Sequence, residues 1–116
     1  MLIITNCYHR GGKNMKMEIM ILNTMRYRKE GEQTYKSRLA YIIPTKDAFS
    51  DNDNFKGYSE LSLYKNDASF FEKIPVEFIG QKCEITIEEK PSKNNPMKSY
   101  KDIIEVSCNG KTISLV

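Results

Sequence analysis

The sequence predicts one small all-β domain carrying a single short helix, and three observations predict it. Residues 81–90 (QKCEITIEEK) alternate apolar and polar side chains with a period of two. Asn109-Gly110, set between β-rich runs, is a strong two-residue hairpin signal. Residues 17–29 and 33–43 are rich in β-branched, aromatic and large apolar side chains and flank a glycine-bearing turn.

Length and composition bound the answer. A chain of 116 residues can close one hydrophobic core and has no material for a second. With 40% hydrophobic and 28% charged residues it belongs with globular proteins. No apolar run approaches the roughly 20 residues of a membrane span, so a membrane is not an expected partner. The formal charge of +3 is too small for a basic coat, and any nucleic-acid role must rest on where the charges sit. Leu2, Ile3 and Ile4 give way at once to Thr5 and Asn6, too short a run for a signal peptide. Three cysteines (Cys7, Cys83, Cys108) without CxxC spacing argue against a disulfide framework or zinc site, so a cytoplasmic location is expected.

Residues 1–14 are expected to lie outside the folded unit, which then spans 15–116, either as a disordered tail or as upstream sequence assigned to the protein in error. Arg10-Gly11-Gly12-Lys13-Asn14-Met15 can be reverse-translated as AGA-GGA-GGT-AAA-AAT-ATG, a ribosome-binding sequence a short spacer upstream of ATG. That favours a start at Met15 or Met17. His9, the only histidine, would then be absent.

The first element is a hairpin, MEIMILNTMRYRK (17–29) against QTYKSRLAYII (33–43). A three-residue Lys29-Glu30-Gly31 loop, with Gly31 left-handed, would place Ile21 opposite Leu39, Ile19 opposite Tyr41 and Met17 opposite Ile43. Residues 44–57 carry Pro, Gly, Asn and Asp in the density of a long loop. A third strand is expected at 58–64, with Leu61 and Leu63 on one face and Tyr58 and Tyr64 on the other. Asn66 or Asp67 then caps a helix of about two turns, with Phe71 and Ile74 inward, before Pro75. The fourth strand (81–90) places Cys83, Ile85 and Ile87 on one stripe. A polar loop (91–99) leads to a fifth strand (100–108) with Ile104, Val106 and Cys108 inward, and Asn109-Gly110 turns the chain into TISLV.

This order predicts a five-stranded OB-fold-like barrel with a short helix between strands 3 and 4. Its hairpin presents Arg26, Tyr27, Arg28, Tyr35, Lys36 and Arg38, and with that hairpin the chain resembles the small single-stranded DNA-binding proteins of phages and plasmids. The resemblance covers the architecture of residues 17–116 and implies a non-catalytic, sequence-nonspecific protein of phage or mobile-element DNA replication. Glu30 and Glu32 depart from a uniformly basic wing.

In the expected register Arg26, Arg28, Lys36 and Arg38 share one face, with Tyr27 and Tyr35 on the other. Crowded like charges cost stability, and a phosphate partner would explain them; the competing explanation is a solvated face balanced by Glu30 and Glu32. Residues 26–38 carry five cations and two anions, so the charge is polarised toward the hairpin. Tyr58 and Tyr64 are candidates for stacking on bases, or are ordinary strand tyrosines with wet hydroxyls. Lys93, Lys98 and Lys101 lie in or beside the loop that closes over a strand bound to an OB-fold.

Other chemistry lacks its residues. Asp51-Asn52-Asp53-Asn54 has neither the glycine nor the final glutamate of a calcium loop. There is no Walker A, GxGxxG, GxSxG or HExxH motif, and Cys83 and Cys108 read as small core residues. No catalytic residue, metal or cofactor is expected. The partner expected is single-stranded DNA, with RNA as the variant, and a homodimer is compatible with the sequence. The rival function is a protein-interaction module, a phage-encoded inhibitor or assembly subunit, using the same tyrosine-rich surface.

Overall fold

In the computed structural model, which describes residues 14–91 and 97–116, the alternating runs become strands. In chain order they are β1 (Asn14–Tyr27), β2 (Lys36–Ile42), β3 (Phe49–Asp51), β4 (Lys56–Tyr58), β5 (Leu61–Lys65), helix α1 (Ser69–Lys73), β6 (Lys82–Pro91), β7 (Ser99–Cys108) and β8 (Lys111–Ser114). Six of them form one antiparallel sheet in the order β5-β2-β1-β6-β7-β8, and β3 and β4 form a separate hairpin. Within the large sheet α1 does fall between the third and fourth strands met along the chain.

The expectation of a closed five-stranded barrel is corrected, because the sheet is open. Among the described residues β5 pairs with β2 and with no strand beyond it. The antiparallel pairings leave β5 and β7 running in the same direction at the two sides of a seam. Residues 105–108 of β7 are taken up by β8. Side chains span the seam instead of backbone, with Lys65 Nζ meeting Asp102 Oδ1 at 2.5 Å.

The core consists of the inward stripes of five strands plus one helical face. Ile19, Ile21, Leu39, Ile85 and Val106 are fully buried, joined by Phe70 and Phe78 from the segment after β5. Each such side chain contributes about 1.5–3 kcal/mol over its exposed state. The alternation expected at 81–90 holds, with Cys83, Ile85 and Ile87 buried. Cys83 and Cys108 are both buried free thiols. The final hairpin also holds, since Asn109 (φ 53°) and Gly110 (φ 83°) adopt the positive angles of a two-residue turn.

The first hairpin differs in register. Ile21 pairs with Tyr41 and Asn23 with Ala40, leaving Leu22 as a bulge, and Tyr27 pairs with Lys36. Ile19 and Met17 pair with Cys83 and Ile85 of β6 rather than with β2 residues. The connection is the eight residues 28–35, not three. Gly31 is left-handed as expected (φ 89°), in a turn closed by Glu32 N donating to Lys29 O at 3.0 Å.

Three further expectations shift for local reasons. Residues 58–64 do not form one strand, because Tyr58 ends β4 and Leu61 begins β5. In α1, Phe70 and Ile74 face inward and Phe71 is exposed. The helix starts one residue later than expected, after Ala68, although Asp67 Oδ1 still accepts from Ser69 N at 2.9 Å. In β7 a bulge opposite Thr86–Ile87 switches the phase, so that Ile103 and Val106 are both buried and Ile104 is only partly covered.

Ser37 fixes the helix to the sheet. Its buried Oγ donates to Asp67 O at 2.7 Å and accepts from Phe70 N at 3.2 Å. Cys7, His9 and Lys93 lie outside the described residues, as does all of 1–13; β1 itself begins at Asn14.

Candidate nucleic-acid interface

Register decides which side chains share a surface. Ser37 and Leu39 point into the protein, so Lys36 and Arg38 take the opposite face of β2. On that outer face Arg38 lies between Met25 of β1 and Tyr64 of β5, and Lys36 lies opposite Tyr27. Tyr64 is 62% exposed. Two aromatic rings therefore alternate with two cations on one outward surface, the pattern needed to stack bases while holding the phosphates between them.

Each of the two cations has a carboxylate near it. Lys36 Nζ is 3.4 Å from Glu32 Oε2, and Arg38 Nη2 is 3.9 Å from Glu60 Oε2. Pairs this long, with partly exposed partners, contribute little to stability. Glu60 is the more exposed of the two carboxylates and is open to competition from an incoming phosphate, whereas Glu32 has its Oε1 buried.

The four hairpin cations do not share a face. Arg26 lies opposite Ser37, on the helix side of the sheet. The cause is the register: a one-residue shift reverses which β2 residues share a face with a given β1 residue. Arg26 Cζ lies 4.6 Å from the Tyr35 ring centroid and 5.4 Å from that of Phe71, and Arg28 Cζ lies 5.1 Å from Tyr35. Tyr35 is thus engaged by two guanidinium groups, and Tyr27 is parted from it.

Tyr58 is also separated from Tyr64. It pairs with Phe49 in the β3–β4 hairpin, the rings meeting edge to face at 5.2 Å and 74°. The turn of that hairpin is residues 52–55, taking in most of the Asp51-Asn52-Asp53-Asn54 run, and there Asn52 Oδ1 accepts from Asn54 N at 2.9 Å and Phe55 N at 3.0 Å. Its asparagine oxygen is therefore committed to the turn.

Lys98 and Lys101 are exposed near the start of β7. Lys101 borders a cavity of about 220 Å³ at the seam, lined also by Met15, Leu63 and Ile103. The sequence reading missed Lys65, Asp102 and Ser37. Each acts through a partner 30 or more residues away, at separations of 37 for the ion pair and 30 for Ser37 with Asp67, so no local spacing marks them.

No protein-family model, curated protein or solved structure matches the chain. Among the described residues no helix is long and apolar enough to cross a membrane.

Proposed function

We propose that this protein binds single-stranded nucleic acid, DNA in the first instance, on the outer face of β1, β2 and β5, without catalysis and without a cofactor. The observation that carries the reading is the row Met25–Arg38–Tyr64 beside the pair Tyr27–Lys36. The strand order β5-β2-β1-β6-β7 supports treating the sheet as an unclosed relative of the OB barrel, whose second and third strands and adjoining loops take oligonucleotides. Here those strands are β2 and β5, and the adjoining cations are Lys98, just before β7, and Lys101 within it. Stacking and phosphate contacts read no base edges, so sequence preference is weak. A role in phage or plasmid DNA replication, in a cytoplasmic setting, follows from the resemblance noted above.

Fluorescence anisotropy with labelled oligo-dT over a salt series tests this. Affinity falls steeply with salt, because neutralised phosphates release counterions. Replacing Lys36 and Arg38 together by Glu removes binding while the fold is kept. Absence of binding at low salt overturns the reading, and salt-insensitive binding transfers the surface to a protein partner. Oligo-rU in parallel separates RNA from DNA.

A further inference from the structure

On the opposite face of the sheet from Tyr64 lies a second surface of different chemistry. A hollow of about 370 Å³ is lined by Asn23, Thr24, Phe71, Ile74, Val76 and Ile79. Val76 is 83% exposed and Phe71 45%, so the hollow continues into an apolar rim. Arg26 stands at its margin over Phe71, and Arg28 follows through their shared contact with Tyr35. Neither arginine has a carboxylate within ion-pair distance among the described residues, unlike Lys36 and Arg38.

We propose that this hollow docks an acidic peptide segment, inserting a bulky apolar side chain against Phe71, Ile74 and Val76 while a neighbouring carboxylate is held by Arg26 and Arg28. Charge complementarity selects the occupant. Two guanidinium groups without an ion-pair partner beside an apolar pocket suit a carboxylate next to a leucine or phenylalanine, and arginine donates two parallel N–H bonds to a carboxylate. A nucleic-acid strand fits less well. The two rings that a base would use, Tyr35 and Phe71, already lie against Arg26, and Tyr35 against Arg28 as well, so stacking there would displace the guanidinium groups. Glu72, next to Phe71, would repel a continuous polyanion, whereas a single carboxylate can be placed clear of it; Glu77, next to Val76, is paired with Lys111 at 3.6 Å. Stacking on Tyr35 also holds the guanidinium groups in place before the partner arrives, lowering the ordering cost of binding.

The test uses the full chain, a fluorescein-labelled hexapeptide of alternating aspartate and leucine, and control hexapeptides of serine with leucine and of aspartate with serine. The aspartate–leucine peptide binds and shifts backbone amide resonances of residues 22–26 and 71–79 but not of 62–64. Both controls bind about tenfold or more weakly, as does the Arg26→Glu variant, the loss expected for one charge-assisted contact. Phe71→Ser and Val76→Asp weaken binding similarly, and the exposure of Val76 keeps its variant folded should Phe71→Ser unfold. Absence of binding, binding that survives Arg26→Glu, or shifts that map elsewhere overturns the proposal. Oligo-dT shifting the same 22–26 and 71–79 resonances assigns the hollow to nucleic acid and also overturns it. This surface stands apart from the Tyr64 face, so either can fail without the other.

Discussion

Lys65 Nζ on β5 and Asp102 Oδ1 on β7 meet at 2.5 Å across the seam of the sheet, with only 10% and 18% of the two side chains exposed. Asp102 is gripped from its other oxygen by Lys90 Nζ at 3.3 Å, and Lys65 Nζ lies 5.8 Å from the Phe70 ring centroid. The pair does what a backbone ladder would otherwise do, joining two parallel strand edges that share no hydrogen bonds.

Removing Asp102 leaves Lys65 sheltered and unpaired, whereas removing Lys65 leaves Asp102 with Lys90 alone. Asp102→Leu should therefore lower the unfolding free energy by about 3 kcal/mol, while Lys65→Met with Asp102→Leu should cost less than either single change. Urea unfolding of the three variants checks this. A single variant as stable as the parent would show that the seam does not depend on the clasp.

Asp67 gives the fold an acid-sensitive joint. The hydrogen bond from Ser69 holds its carboxyl below the ordinary carboxylate value, with help from Lys65 and Lys73. A lowered value in the folded state means that this stabilisation is present above the unfolded value and is lost as pH falls through the folded one. Asp67→Asn keeps an acceptor for Ser69 N but no longer titrates. Its stability should accordingly fall less than the parent's between about pH 6 and about pH 3. Equal acid slopes for the two proteins would contradict this.

Cys83 behaves in the opposite sense. Burial, then its neighbour Cys108, pushes the thiol up from 9.0 to about 12. Its Sγ lies 3.5 Å from Gln81 O. Folding keeps the proton on sulfur, so the contribution is complete below the unfolded value and is lost as pH rises toward the folded one. Cys83 should resist a thiol reagent at about pH 8 in the native protein and react only on unfolding, because the thiolate is the nucleophile. Peptide mapping after pulsed alkylation measures it, and rapid native labelling at Cys83 would show that this part of the core opens freely.

The local parts of this architecture were legible and the long-range parts were not. Ile85 and Ile87 announce their face by alternation, and Asn109-Gly110 announces its turn, because both signals lie within a few residues. The bulges at Leu22 and at Ile104 are invisible to a rule of strict alternation, yet they decide which side Arg26 and Ile103 take. Arg38 beside Tyr64 was readable because both follow from the parity of their own strands. The division of Arg26 from Lys36 depends on a one-residue shift that no spacing encodes. The clasp of Lys65 with Asp102 bridges the open seam between the ends of a five-strand run, β5-β2-β1-β6-β7, so no local pattern marks it.

The shift in register makes the tyrosines unequal, and this can be measured on the nucleic-acid reading. Tyr64 stands in the open beside Arg38, so Tyr64→Ala should weaken oligo-dT binding by about 1–3 kcal/mol, the range for loss of one stacked base. Tyr58 spends its ring on Phe49 in a separate hairpin, so Tyr58→Ala should leave the affinity unchanged. Tyr35 is held between Arg26 and Arg28 on the other side of the sheet, and Tyr35→Ala should likewise spare oligo-dT. Anisotropy titrations at one low salt concentration rank the three variants. A larger loss at Tyr58 or Tyr35 than at Tyr64 would move the bound strand off the face of β2 and β5, since no path along that face reaches either ring first.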